Sequence, residues 1–261
     1  MQKKKIITVF LTVVLFAATA LLGFFSVYRV NEVGVSFKYN SEEAKAEVEA
    51  LKADLLALYE GENVFLLDEA DAEKVFDAYP YFRKTGFKRD LPDKIVFEVT
   101  EDEEIFAAHT ERGYLILGLD GTILSIRDSY LNRADGNENI LIEGIAVSGE
   151  KGELCVGEGL SDLFKLLKNL SDRLGGLRSN IVKITSKNVA PSIVHYELIM
   201  REGVKIQIGK IQTFTQEKAQ KIADLYLNPA SDADRLRGVI YATDDGEKPV
   251  VSYSPTEFTG A

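Results

Sequence analysis

Apolar and polar positions divide the chain into three kinds of segment. One is continuous: Ile6 to Tyr28 holds no charge, and such a run is apolar on every face of a helix. The second kind is periodic. Ala44, Val48, Leu51, Leu55 and Leu58 recur at spacings of four and three. That predicts a helix over Ser41 to Glu60 with one apolar face. Ser41 is its expected cap, Glu42, Glu43 and Glu47 favour its first turns, and Gly61 is its stop. Further helices are expected at about Glu69 to Ala78, ended by Pro80, at Leu160 to Leu174, ended by Gly175-Gly176, and at Gln216 to Leu227. The third kind alternates or runs briefly apolar, as strands do. It covers Val27 to Val35, Asn63 to Leu67, Tyr81 to Arg89, Lys94 to Glu101, the surroundings of His109, and a hairpin over Gly113 to Ile126 with Asp120-Gly121 at its turn. Later strands are expected at Ile140 to Val147, Ile181 to Thr185, Ile193 to Met200, Val204 to Ile208, Leu236 to Ala242 and Pro249 to Tyr253.

The fold class this predicts is α+β. A single N-terminal transmembrane helix is followed by a small domain with a mixed sheet and two helices, and then by a β-rich α+β domain. Antiparallel neighbours are expected in both. The boundaries are a tail at 1–5, the membrane helix at 6–28, the small domain at 29–101, the β-rich domain at 102–254 and a C-terminal tail at 255–261. The acidic run Glu101-Asp102-Glu103-Glu104 reads as a solvated link between the two domains.

As a helix, the 23 residues from Ile6 to Tyr28 span roughly 34 Å, enough for a hydrocarbon core of about 30 Å. Lys3, Lys4 and Lys5 precede them, so the N-terminus is expected in the cytoplasm and the bulk outside. Ala18-Thr19-Ala20 resembles a signal-peptidase site. The apolar run continues past it through Leu21, Leu22, Phe24, Phe25 and Val27, which favours an uncleaved anchor.

Charge narrows the partners. Without the three lysines, 28 basic residues face 41 acidic ones, a net of −13. Such a domain does not seek nucleic acid as a whole. Five bases (Arg83, Lys84, Lys88, Arg89 and Lys94) nonetheless fall within twelve residues. On strands they split over two faces, which suits neutralisation of nearby acids or a protein contact better than a nucleic-acid groove. Chemistry is sparse. One Cys and two His cannot supply a structural zinc site of about four such ligands. Cys155 has no base or helix start beside it, and His109 and His195 lie in predicted strands. No catalytic, metal or cofactor residue is therefore assigned, and no cofactor is expected. A membrane-tethered cell-wall enzyme working through a pair of carboxylates stays open as the alternative.

The order of these features resembles the bacterial division protein family FtsQ/DivIB. Pro80, Phe82, Arg83, Lys84, Gly86, Phe87, Lys88, Arg89, Pro92, Ile95, Phe97, Val99 and Glu101 fit a family pattern. So do Gly61 to Asp68, Tyr114 to Leu124 and Val204 to Lys221. The helix over Ser41 to Glu60 is longer than usual in that family, and Glu103-Glu104 depart from its pattern. The resemblance implies a single-pass membrane protein with an extracytoplasmic POTRA domain and then a β domain. It implies a non-enzymatic divisome scaffold at the septum that assembles with FtsB/DivIC-type and FtsL-type partners and helps control septal peptidoglycan synthesis. By the same resemblance, partners bind on the last strand (Val250, Val251, Ser252 and Tyr253) and on the neighbouring helix (Lys218, Lys221 and Leu225). Arg83, Lys84, Lys88 and Arg89 are further surface candidates.

Overall fold

The computed structural model describes residues 2–38, 41–190, 193–228 and 237–256. The expected strand start at Leu236 and most of the expected tail, residues 257–261, lie outside them. The chain divides between Glu101 and Asp102 into two compact units.

In the first unit, α1 (Gln2–Val27) is followed by β1 (Glu32–Lys38) and α2 (Glu42–Tyr59). Then come a 3-10 turn (Glu69–Ala72), the short α3 (Glu73–Phe76), β2 (Phe82–Asp90) and β3 (Lys94–Glu101). Phe10 to Val27 of α1 has a mean hydropathy of 2.3 and none of it is buried, so this helix is long and apolar enough to span a membrane. β3 is the central strand of three, parallel to β1 and antiparallel to β2. The parallel pair follows from the helical crossover between β1 and β3, because parallel neighbours need a long connection. Ile95, Phe97 and Val99 alternate inward on β3 and pack with Leu51, Leu55 and Tyr59 of α2.

Four details depart from the sequence pattern here. Tyr59, not Leu58, completes the inner face of α2, and Leu58 is exposed. Asn63 to Leu67 is a turn and not a strand. The Asn63 side chain accepts from the Phe65 backbone N–H at 3.0 Å, and the Asn63 carbonyl accepts from Leu66 and Leu67 at 2.9 and 3.1 Å. Such local bonding competes with a ladder. The expected helix over Glu69 to Ala78 breaks into a 3-10 turn and one α-turn. Asp68 caps the 3-10 turn through Ala70 N–H at 2.9 Å. Finally, Glu101 is buried. Its carboxylate accepts from the Ser41 N–H at 3.0 Å and from the Ser41 hydroxyl at 2.7 Å. Ser41 in turn caps α2 through Ala44 N–H at 3.2 Å.

The second unit contains β4 (Phe106–Thr110), β5 (Gly113–Leu117), β6 (Ile123–Arg127), β7 (Ile140–Glu143), α4 (Leu160–Leu174) and β8 (Ile181–Ala190). These are followed by β9 (Ile193–Met200), β10 (Lys205–Ile208), α5 (Thr215–Leu227), β11 (Val239–Asp244) and β12 (Pro249–Ser254). The strands form one nine-stranded sheet in the order β12-β11-β10-β9-β8-β7-β4-β5-β6. Its neighbours are not all antiparallel: β4–β7, β7–β8 and β10–β11 run parallel. The last two pairs are joined through α4 and α5, and such crossovers return a strand in the same direction. Leu163, Leu166, Leu167 and Leu170, spaced along one face of α4, are buried, and Leu174 on the same face is partly buried. They share a core with Ile206 and Ile208 of β10 and with Ile222 of α5. α5 packs on α4, β11 and β12.

Candidate functional site

β12 reads Pro-Val-Val-Ser-Tyr-Ser and ends the sheet. It is antiparallel to β11, with Thr243 opposite Val250 and Ile240 opposite Tyr253. Among the described residues no strand pairs with its other side. An edge of this kind presents free N–H and C=O groups, and proteins usually blunt it with charge, a bulge or proline. β12 carries no charge at all, and its single proline sits at the first position, where a strand tolerates it. Val250 and Ser252 face solvent, while Val251 and Tyr253 pack against the core. Gly238, just before β11, has φ +90°, and a Cβ there would lie 2.5 Å from the Ser254 carbonyl. A glycine at this point lets β12 close onto β11 along its full length.

α5 lies under this edge. Its inner face is formed by Lys218, Ala219, Ile222, Ala223 and Tyr226. Lys218 was expected on a partner-facing surface, but its side chain is 0% exposed. The helical spacing that buries Ile222 and Tyr226 also turns residue 218 inward. Its ammonium donates to the carbonyls of Lys210 at 2.7 Å and Gly209 at 3.2 Å, and sits 3.6 Å from the Asp244 carboxylate. All three of its donors thus find acceptors. Burial lowers its pKa, and Asp244 works against that fall. Asp244 is itself buried. It also accepts from the Thr213 hydroxyl and from the Lys210 ammonium at 3.3 Å. These partners hold its carboxyl below the ordinary range, the Thr213 hydroxyl most of all. Lys221 is exposed along its stem, yet its ammonium donates to the Pro249 carbonyl at 2.7 Å, tying α5 to the first residue of β12. Leu225 is half-buried against the core.

Sequence reasoning missed Asp244, Thr213 and Lys210. Lys210 and Phe214 take positive φ angles of 48° and 52°, which no residue type announced. It also misread Glu104, a member of the run taken as a solvated link. Glu104 is 2% exposed and accepts from Arg127 at 2.7 Å and from the Arg133 N–H at 3.0 Å.

The basic cluster makes contacts within its own unit. Lys84 pairs with Glu73 at 2.8 Å and Glu69 at 3.6 Å, and Lys88 pairs with Glu98. Arg89 donates to the Val64 carbonyl at 2.8 Å and lies over the Phe87 ring at 5.0 Å. Lys94 pairs with Glu32 at 2.6 Å. A bulge between Lys84 and Gly86 resets the alternation of β2 midway.

Cys155 is buried, and burial pushes its thiol up to about 11, the opposite of what activates a thiolate. His109 packs edge-on to Tyr114 at 5.1 Å and borders an open pocket with Arg112 and Ser148. His195 is exposed on β9. Among the described residues no three His, Cys, Asp or Glu side chains converge as a metal set.

In comparisons with known proteins, no family model and no curated protein matches this chain.

Proposed function

We propose that this chain is a non-enzymatic scaffold of the FtsQ/DivIB type, anchored by α1 in the plasma membrane. Its N-terminus is cytoplasmic and its folded units are extracytoplasmic. The observation that carries this reading is β12: a six-residue, uncharged sheet edge, braced by α5, with no described strand on its outer side. Such an edge takes up a partner segment as an added strand, where backbone hydrogen bonds supply affinity and alternate side chains supply selection. Val250 and Ser252 offer the outer row, and Val251 and Tyr253 the inner one. The order strand-helix-helix-strand-strand, with β3 between β1 and β2, agrees with a POTRA domain and adds weight to the reading. The partners are small bitopic proteins of the FtsB/DivIC and FtsL types, and the place of assembly is the division septum.

Depletion of the protein in its host is the test, together with a pull-down of small bitopic envelope proteins on the full-length chain. Filamentous cells and a partner lost on Val250→Lys are expected. Normal septation with no bound partner overturns the reading. Turnover of peptidoglycan fragments by the purified chain would replace it with the wall-enzyme alternative.

A further inference from the structure

Several exposed apolar side chains of the first unit gather where α1 ends. Phe65 is 44% exposed, Leu66 65% and Leu91 52%, whereas their neighbours Val64 and Leu67 are buried. We propose that Phe65, Leu66 and Leu91 form a lipid-facing tip that enters the headgroup zone of the bilayer spanned by α1. The proposal rests on α1 being a membrane anchor.

The depth of the tip follows from its contacts. The Phe65 ring stacks on Phe24 of α1 at 5.6 Å and meets Tyr28 edge-on at 5.1 Å. The turn is fixed there by hydrogen bonds. Val64 N–H donates to the Tyr28 carbonyl at 2.8 Å, and the Asn63 amide donates to the Phe24 carbonyl at 3.2 Å. Arg29 donates to the Phe25 carbonyl at 2.9 Å. These bonds satisfy carbonyls that a helix end leaves free. Phe24 lies three residues before the end of α1, about 4–5 Å along its axis. A ring stacked on Phe24 therefore shares the level at which the apolar span ends. The β2–β3 turn is drawn to the same place. Arg89 donates to the Val64 carbonyl at 2.8 Å, and Asn31 N–H donates to the Asp93 carbonyl at 2.9 Å. Leu91 crowns that turn.

Single exposed apolar residues on a soluble surface need no explanation, but a group around the exit of an apolar helix does. Charge says how it binds. Glu60, Glu62, Asp90 and Asp93 flank the tip in sequence, against Arg29, Lys88, Arg89 and Lys94, of which Lys88 and Lys94 are already paired with Glu98 and Glu32. Attraction to anionic headgroups is not the drive, so the occupant is the apolar boundary of the bilayer itself.

The test uses the full-length chain in a Cys155→Ala background with one new cysteine at a time: Leu15→Cys, Leu66→Cys, Leu91→Cys or Glu43→Cys. Each carries an environment-sensitive fluorophore and is reconstituted in phosphatidylcholine vesicles containing nitroxide lipids. Leu15 reports the middle of α1. Glu43 reports the far end of α2, roughly 25 Å from Leu66 by helical rise. Expected are quenching at Leu15 by deep nitroxides and several-fold stronger quenching by shallow nitroxides at Leu66 and Leu91 than at Glu43. Replacing a third of the lipid by phosphatidylglycerol is expected to leave these ratios unchanged. If Leu15 is quenched while Leu66 and Leu91 match Glu43, the tip is overturned and the anchor stands. A blue shift at Leu66 without quenching means that protein covers the tip, which also overturns the proposal. If Leu15 is not quenched, the anchor reading falls and takes the tip with it.

Discussion

The nine-stranded sheet has two ends, and they are finished differently. At the β6 end, residues 152–155 bond to the turn before the strand and to its first residue, Ile123. Ile123 N–H donates to the Glu153 carbonyl at 2.8 Å, and Gly152 N–H donates back to Ile123 at 2.8 Å. Arg112 fastens this segment through Glu150 at 2.9 Å and the Gly149 carbonyl at 2.8 Å. At the β12 end no described segment does the same. Each end nevertheless has an ion pair with a buried carboxylate close behind it, Arg127–Glu104 and Lys218–Asp244. The β6 end is thus pinned at its first residue, while no described segment bonds to the outer side of β12. An edge that no described segment covers, braced from behind, is one that another strand can pair with.

The largest expected effect breaks the brace. Asp244→Ala leaves the Lys218 ammonium buried with carbonyls alone, and losing one member of such a pair costs about 3–5 kcal/mol. Thermal unfolding should fall by about 10 °C or more for a unit of this size. Lys218→Met should cost much less, because Lys210 and Thr213 still serve Asp244. Equal losses in the two variants would mean that the pair does not act as described. The pH dependence has a defined sign. The Asp244 carboxyl is held below its ordinary value of 3.8. Its stabilisation is therefore complete above that value and is lost as the pH falls through the folded one. Asp244→Asn should flatten this part of an acid-unfolding curve.

Next in size is Gly238→Ala. A positive φ and a 2.5 Å approach to the Ser254 carbonyl make a strain of about 1–3 kcal/mol. Hydrogen exchange should quicken on β12 and stay unchanged on β6. Smaller for folding, but decisive for the comparison, is Val250→Lys. It places a charge on the β12 edge and should weaken partner capture by about tenfold, or ~1.4 kcal/mol, at unchanged melting temperature. Unchanged capture would show that the edge is not the contact. The smallest effect is expected from Arg112→Ala, which loosens the segment bonded to the start of β6. An exposed pair contributes about 0–1 kcal/mol, so only faster exchange at Ile123 should reveal it.

Much of this architecture was legible because apolar spacing is dictated by burial. The inner face of α4 and the alternation of β3 could be read directly. Parallel pairing could not, since it depends on which strands a crossover brings together. Polar residues hid more. Lys218 reads as a surface residue until the carbonyls of Gly209 and Lys210 are seen around it, and those come from a backbone conformation without a residue signature. Glu101 and Glu104 sat in an acidic run that looked solvated, because the groups they accept from lie about 60 and 23 residues away in the chain. For the edge itself, the lack of charge in Pro249 to Ser254 was visible. That it ends the sheet was not, since strand order is a property of the whole unit.

The clasp between Ser41 and Glu101 decides where this protein can be divided. Glu101 is the last residue of the first unit, and it holds the residue that begins α2. A fragment ending at Thr100 would contain every helix and nearly every strand of that unit. It would also leave the Ser41 N–H and hydroxyl buried without their acceptor, at a cost of about 1–3 kcal/mol. One more residue restores both bonds, so the smallest self-sufficient piece is set by a hydrogen-bond partner and not by the visible end of the secondary structure.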